Sequence, residues 1–298
     1  MRSVETISCP LLPNVTVAVT RHDEPDEMLI ACLDRLAAQQ DITATILVFD
    51  QNPSTRMRQH TMNFQGKRGI QFTYVEIHPC GISKARNLAV QYCQTDILLF
   101  TDPDIRVDNL WASHLYQTLT NGAAIAGGRI LPDWEKHPMF ITRSSLIRDQ
   151  YSLYDLGVVV VPCGKVIGCN FGINMTRLGA EIAQFDENYG RRYGTLLGGE
   201  EVELCERARA AGKKIVYDGQ ALTLHRIDST RQSYRWLIRR LYAAGKSRAN
   251  RGGKPNPTNS LTLDWSTLVA IPLFAFYILG YLLATAQYIL SLSRTSRA

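Results

Sequence analysis

The sequence holds no Cys-x-x-Cys pair, no recurring unit, and no apolar leader behind its first arginine. Its seven cysteines (Cys9, Cys32, Cys80, Cys93, Cys163, Cys169, Cys205) are odd in number and scattered, which argues against a disulfide framework and a zinc knuckle. Reduced packing thiols are expected. Without a repeat of about 20–50 residues, and with Gly and Pro showing no period, solenoid and collagen-like architectures are excluded. MRSVETISCPLLPN lacks the apolar run of about 7–15 residues that a secretory leader needs, so the body is expected to stay in the cytosol. With 45% hydrophobic and 20% charged residues, the 298-residue chain can bury a sizeable core, and disorder is excluded as its main state.

The net charge of +6 is unevenly spread. Between Arg226 and Lys254 stand nine basic residues (Arg226, Arg231, Arg235, Arg239, Arg240, Lys246, Arg248, Arg251, Lys254) against Asp228, a local +8 that leaves the rest at −2. Directly after it, Leu268 to Leu290 runs 23 residues without a charge. At about 1.5 Å per residue that length crosses a hydrocarbon core of about 30 Å, so a single membrane span over 268–290 is expected. A buried core helix is the alternative, but only Thr285 and Gln287 are strongly polar in the run. The basic block would then lie on anionic headgroups of the cytoplasmic leaflet, with Trp265, Tyr281 and Tyr288 near the interfaces. Arg294 and Arg297 on the far side weaken that orientation argument.

From Val15 the pattern alternates β-branched runs with helical spacing, as βαβ units do. Strands are expected over 15–20, 44–50, 71–77 and 96–100, with a helix from Glu27 to Gln39 and another through Cys93 that Ser83 would cap. Residues 123–130 read as a strand, 131–165 are ambiguous, and Glu201 to Ala211 is a helix closed by Gly212. KKIVYD and ALTLH read as two further strands, and 233–245 as an amphipathic helix with a basic face suited to a membrane surface. A largely parallel sheet binds ligands outside the carboxyl ends of its strands.

Two acidic features lie where chemistry is expected. Asp102-Pro103-Asp104 follows the apolar strand ILLFT, and such oxygen ligands suit Mg²⁺ or Mn²⁺ completed by substrate phosphates. An ordinary turn capping the helix of Trp111 is the plain alternative. Gly198-Gly199 then delivers Glu200 and Glu201 to a helix start, where a carboxylate can take a proton from an incoming hydroxyl. Helix capping alone would also favour acids there.

Taken in order, VAVTRHDEP, a strand ending in Asp50, GISKARNLAV, LLFTDPD, GGEEVELCERARAAG and His225 resemble family 2 of the GT-A glycosyltransferases over roughly residues 14–226. The resemblance implies an α/β fold of the GT-A, Rossmann-like kind, a mostly parallel mixed sheet flanked by helices, here with a C-terminal transmembrane helix. It implies that Thr20, His22, Glu24 and Asp50 line the base and ribose pocket of a nucleotide-sugar donor. It places Arg86 near the pyrophosphate or steadying the carboxylates, Asp102 at the donor and, with Asp104, at the metal, and the base on Glu201 or Glu200. His225 becomes a candidate metal ligand. Gly168, Cys169 and Asn170 are the acceptor candidates within 131–197.

The chain departs from the family pattern at three points. His22 stands where an aromatic commonly stacks, Glu201 where Asp is usual, and the turn Asp50-Gln51-Asn52-Pro53-Ser54 is one residue longer, leaving Ser54 unassigned. Gln232-Ser233-Tyr234-Arg235-Trp236 spells Q-x-x-R-W, which in processive polysaccharide synthases of the superfamily lines the acceptor site and adds Trp236 to the candidates. Processive synthases use several membrane helices, whereas one is found here, so a non-processive enzyme is the favoured reading.

The expected organisation is a catalytic domain over 1–225, a basic juxtamembrane segment over 226–260 and an anchor over 261–298. The expected activity is metal-dependent inverting transfer to a lipid-linked oligosaccharide or cell-surface polysaccharide at the inner or plasma membrane. A non-catalytic nucleotide-sugar-binding subunit is the rival. Nucleic acid is not an expected partner, because the basic block lacks interleaved stacking aromatics. The oligomeric state is left open.

Overall fold

A computed structural model describes residues 13–63, 69–192, 194–252 and 265–295. Residues 1–12 with Cys9, together with Lys254 and Arg297, lie outside the described residues, as does the Arg294 side chain.

The first half is built of strands and crossover helices: β1 (Asn14–Arg21), α1 (Asp26–Ala37), β2 (Thr43–Asp50), α2 (Thr55–Asn63), β3 (Ile70–Glu76), α3 (Ile82–Tyr92) and β4 (Ile97–Thr101). β1 to β4 pair in parallel in the order β3-β2-β1-β4. Their side chains alternate between two cores. Val15, Val17, Val19, Ile46 and Val48 meet Leu29, Leu33 and Leu36 of α1 on one face. Ala18, Leu47, Phe49, Leu98 and Phe100 meet Ala89 and Val90 of α3 on the other. Strands covered on both sides in this way read as continuous apolar runs, which is why they were legible.

The second half turns the sheet mixed. β5 (Ile105–Val107), α4 (Trp111–Thr120) and β6 (Ile125–Trp134) follow, then the short α5 (Ser145–Arg148), β7 (Val160–Pro162), β8 (Asn170–Asn174), and the single turns α6 (Met175–Leu178) and α7 (Ala180–Ala183). α8 (Glu200–Ala210) leads into β9 (Ile215–Ile227). The full order is β3-β2-β1-β4-β8-β6-β9-β5, with β7 also on β9. β8 runs antiparallel to β4 and β6, while β6 and β9 are parallel.

Two local expectations are corrected. Ser83 does not cap α3; the helix starts behind Gly81, and the Ser83 hydroxyl donates to the Tyr189 carbonyl at 2.6 Å. KKIVYD and ALTLH are one strand, β9, whose register against β6 jumps between Gly128 and Arg129. Asp218 holds the bulge, accepting from the Gln220 N–H at 2.9 Å and the Thr118 hydroxyl at 2.7 Å.

At the end of the chain lie α9 (Tyr234–Asn250), α10 (Trp265–Ala270), a 3₁₀ turn at Ile271–Leu273 and α11 (Phe274–Thr295). Trp265–Leu290 is long and apolar enough to cross a membrane, though 28% of the span is buried against the protein. Pro272, which has no N–H to donate, coincides with the 3₁₀ turn. Tyr277 and Ala284 of α11 are buried, whereas Ile278, Leu279, Leu282 and Leu283 are exposed. A Cβ on Gly245 of α9 would meet the Tyr277 carbonyl oxygen at 2.0 Å, and one on Gly280 the Tyr242 carbonyl oxygen at 2.1 Å. The two backbones touch at glycine on each side, and the pairing of 245 with 277 and 242 with 280 makes the helices antiparallel. Leu237, Leu241, Ala270 and Tyr277 belong to the same buried cluster as α1.

The basic face of α9 is only partly directed outward. Arg235 and Arg239 are exposed, but Arg240 donates to the carbonyls of Gln150 (3.3 Å) and Leu196 (2.7 Å), Arg251 to that of Gly198 (3.4 Å), and Arg248 faces Glu206 (3.4 Å). Carbonyl oxygens of the 150 and 196–198 loops, which the sequence pattern does not reveal, draw these cations inward.

Candidate active site

β4 ends at the middle of the sheet and delivers Asp102 and Asp104 to its carboxyl edge. The chain then turns, the Ile105 N–H donating to the Asp102 carbonyl at 3.1 Å, and re-enters the sheet as β5. Because Ile105 pairs with His225 of β9, the sheet register itself sets Asp104 beside that histidine. Asp104 Oδ2 lies 3.2 Å from His225 Nε2. Neither aspartate caps α4, which starts at Leu110 without a side-chain cap.

Asp102, Asp104, Glu200, Glu201 and His225 all line one cavity of about 140 Å³. A smaller groove of about 60 Å³ shares Ile82, Asp102, Asp104 and Arg191 with it and is walled by Thr20, His22, Glu24 and Gln51. Nearly a hundred positions of sequence therefore converge on one cleft. The Thr20 hydroxyl is buried there without a hydrogen-bond partner, and Asp102 Oδ1 likewise accepts no hydrogen bond.

Arg86 is the hub beneath the cleft. It is 1% exposed, sits 5.6–5.9 Å from the rings of Phe100, Phe171 and Phe185, and donates to Glu200 Oε1 at 2.6 Å and to the Gly168 carbonyl at 2.7 Å. Its other side faces Asp102 Oδ1 at 3.5 Å. It lies against the carboxylates of Glu200 and Asp102 and also lines the cavity. A Cβ on Gly168 would lie 2.9 Å from the guanidinium and would force it to shift.

The two acids that open α8 are used differently. Gly199, with φ +100°, turns the chain so that Glu200 faces inward to Arg86 while Glu201 faces the cavity. Burial, reinforced by the Glu200 carboxylate and opposed by Arg86, pushes the Glu201 carboxyl up to about 7. Asp102 is also pushed up to about 7 by burial, against the pull of Arg86. Asp104 goes the other way: burial opposes its charge, but His225 and Arg231 overcome that and hold it well below the usual carboxylate range.

The donor set fits a divalent ion completed by phosphate oxygens. The Tyr151 carbonyl lies 2.7 Å from His225 Nδ1 and can only accept, so Nδ1 carries a proton and Nε2 is the ring nitrogen that faces Asp104 and the cavity. Among the described residues no three His, Cys, Asp or Glu side chains are arranged to hold a metal unaided. Sites of one or two carboxylates plus substrate phosphates are common for Mg²⁺.

Two expected site residues are elsewhere. Asp50 is 0% exposed and accepts from Arg21 (3.0 Å), the Tyr74 hydroxyl (2.5 Å) and the Asn52 N–H (2.8 Å). It locks the ends of β1, β2 and β3 together, and Gln51 takes the groove wall. Asn170, also 0% exposed, accepts from Trp111 Nε1 at 2.7 Å and donates to Arg129, Ala221 and Thr223 across three strands. Gly168, Cys169 and Trp236 do line the cavity, with Trp236 stacked on Tyr151 at 5.0 Å. Of Q-x-x-R-W, Arg235 is exposed and Gln232 donates to the Lys136 carbonyl at 3.1 Å. Ser54 caps α2, accepting from Met57 N–H at 3.1 Å.

Sequence reasoning missed Arg191, Arg231 and Arg240, which also line the cavity. Arg231 Nη1 lies 3.2 Å from Asp104 Oδ2 and 3.3 Å from His225 Nε2. Arg231 and Arg240 were visible as charges in the basic block, but only the fold reveals which way they point.

A family model described as Glycosyl transferase family 2 matches residues 16–176, just over half the chain. The chain belongs to glycosyl transferase family 2. Among curated proteins, it is 24% identical over 172 residues to a glucosyl-dolichyl phosphate glucuronosyltransferase of Haloferax volcanii, covering 56% of this chain and 55% of that one. It is 26% identical over 197 residues to a pre-mycofactocin glycosyltransferase of Mycobacterium tuberculosis, covering 65% and 40%. The family 2 chain thus spans about half the length of the curated relatives it matches. Among solved structures, a mannosyltransferase of Pyrobaculum calidifontis in complex with GDP-Man and Mn²⁺ aligns at TM-score 0.58 with 13% identity, over 95% of this chain and 75% of that one. GalNAc-T7 with UDP, GalNAc and Mn²⁺ aligns at TM-score 0.55 with 14% identity, over 90% and 56%. At such identities the likeness is one of fold, and the fold is GT-A.

Proposed function

We propose that this family 2 chain is a metal-dependent, inverting glycosyltransferase that moves a sugar from a nucleotide-sugar donor to a lipid-linked oligosaccharide or cell-surface polysaccharide. The observation that carries the reading is the single cleft that holds Asp102, Asp104 and Glu201 and continues into the groove of Thr20, His22 and Glu24. The nucleoside lies in that groove, where the Thr20 hydroxyl has no partner within the protein. Arg191 and Arg231 face the diphosphate. Asp102, Asp104 and His225 would hold Mg²⁺ or Mn²⁺, which supplies Lewis-acid compensation for charge growing on the leaving diphosphate.

Glu201 takes the acceptor proton. The acceptor oxygen forms a bond to the anomeric carbon as the bond from that carbon to the diphosphate oxygen breaks, and the electron pair leaves with the nucleotide. One displacement from the opposite face inverts the anomeric centre. A carboxyl raised to about 7 is well matched to proton transfer near neutral pH. Glu200, held by Arg86 at 2.6 Å, is the positioning residue that keeps Arg86 against Asp102.

By role, residues 1–225 form the catalytic body, 226–260 the connecting basic segment and 261–298 the membrane attachment, with the body on the cytoplasmic side. Nucleotide release from a panel of nucleotide sugars with Mn²⁺ tests the reading. Release is expected for the wild type, with Asp104→Ala and Glu201→Gln reduced by about 10²-fold or more. Release that persists in either variant refutes the assigned chemistry.

A further inference from the structure

A second cavity, of about 200 Å³, adjoins the first and shares Gln150, Ile167, Gly198, Glu201 and Arg240 with it. Four cations wall it (Lys165, Arg240, Arg248 and Arg251) against two acids, Asp149 and Glu201 itself. Tyr277 of the apolar helix α11 closes one side. The cations come from two separate parts of the chain, the loop before β8 and the inner face of α9 with its C-cap, so their gathering is a product of the fold. Each also has contacts within the protein. Lys165 lies 4.0 Å from Asp149, Arg248 lies 3.4 Å from Glu206, and Arg240 and Arg251 hold loop carbonyls. Arg251 Nε is nevertheless buried with no partner. Even with Glu206 counted, three acids face four cations, and Glu201, pushed up to about 7, carries only part of a charge at neutral pH.

Resting on the assignment of Glu201 as base, we infer that this second cavity is the acceptor subsite and that it takes the phosphate of a phosphate-bearing acceptor. A base must touch the hydroxyl it deprotonates, and Glu201 is shared by both cavities. With the donor in the cleft of Asp102 and Asp104, the acceptor enters from the second cavity. Its phosphate meets Lys165, Arg248 and Arg251, and its hydroxyl faces Glu201. The wall formed by Tyr277 sets this headgroup site against the helix suited to lipid, which favours a membrane-borne phosphate. The shared chemistry is that of a phosphate ester, from a lipid or from a soluble molecule.

The test is calorimetric titration of the full-length protein in detergent micelles with dihexanoyl phosphatidate, dihexanoylglycerol and inorganic phosphate. Phosphatidate should bind and the neutral glyceride should not. Lys165→Met and Arg248→Met, chosen because neither side chain bonds the 196–198 loop, should each weaken phosphatidate about tenfold or more, as loss of a charge-assisted contact does. Lys165→Arg and Arg248→Lys should retain most of the affinity, which a folding defect at either position would not predict. Phosphatidate binding well above that of inorganic phosphate identifies a lipid source; equal binding of both at these residues identifies a soluble one, and either supports the subsite. No phosphatidate binding, or binding undiminished in both Met variants, overturns it. Titration of the same samples with a nucleotide sugar and Mn²⁺ reads the donor assignment separately, so either can fail alone.

Discussion

At the scale of single residues, the site is a set of carboxylates given different tasks by their surroundings. Glu201 and Asp102 are held partly protonated, whereas Asp104 is kept ionised by His225 and Arg231. For Glu201 the consequence is a rate that climbs about tenfold per pH unit below about 7 and then levels, because only the ionised base accepts a proton. A pH profile of single-turnover sugar transfer measures it. The same shift acts on stability. Between the ordinary value of 4.5 and about 7 the unfolded chain releases the Glu201 proton before the folded one does, so folding stability falls as pH rises through that window. Glu201→Gln should therefore gain stability relative to wild type between those pH values, read by chemical denaturation. Asn170 is the opposite kind of residue, polar and wholly structural. Asn170→Ala leaves the Trp111 N–H and the Ala221 carbonyl without their partner, and should cost roughly 2–4 kcal/mol in urea unfolding.

At the scale of elements, what could be read in advance follows from burial. β1, β2 and β4 are covered on both faces, so their apolar runs announced themselves, and the acids at the end of β4 were locatable as a result. The carboxylate pair of α8 was legible because two glycines precede it. Asp50 and Asn170 lie outside the cavity lining for a common reason: position at a strand end is visible in sequence, but the partners that hold each side chain inward are 24 to 59 residues distant. The inward-facing arginines of the 231–251 segment failed for the same cause. β5 is three residues long and carries no pattern, yet its pairing with β9 is what brings His225 to Asp104. The contact between α9 and α11 gives a sharper prediction. Alanine in place of glycine stabilises an exposed helix by about 1 kcal/mol. Gly245→Ala should do the reverse, because its Cβ would meet the Tyr277 carbonyl oxygen at 2.0 Å, and a thermal midpoint lowered by roughly 2–6 °C is expected.

At the scale of the whole molecule, catalytic cleft, phosphate site and apolar helix form a line: Asp102 and Asp104, then Glu201, then the cations of the second cavity, then Tyr277. The buried core follows the same course, joining α1 to Leu237, Leu241, Ala270 and Tyr277 without a break. The C-terminal helix is thus a wall of the second cavity and, under the proposed function, the means of attachment as well.

The antiparallel seating of α11 on α9 also constrains the proposed membrane attachment. Arg235 and Arg239, exposed on α9, would be carried into hydrocarbon were the two helices to insert upright as a pair. Under the proposed attachment, a pair that stays zipped at Gly245 and Gly280 would recline along the lipid surface, with Ile278, Leu279, Leu282 and Leu283 toward the acyl chains. For α11 to thread a bilayer it would have to peel away first and take Tyr277 from the wall of the second cavity, so the proposed attachment and the proposed acceptor site would be coupled through one helix.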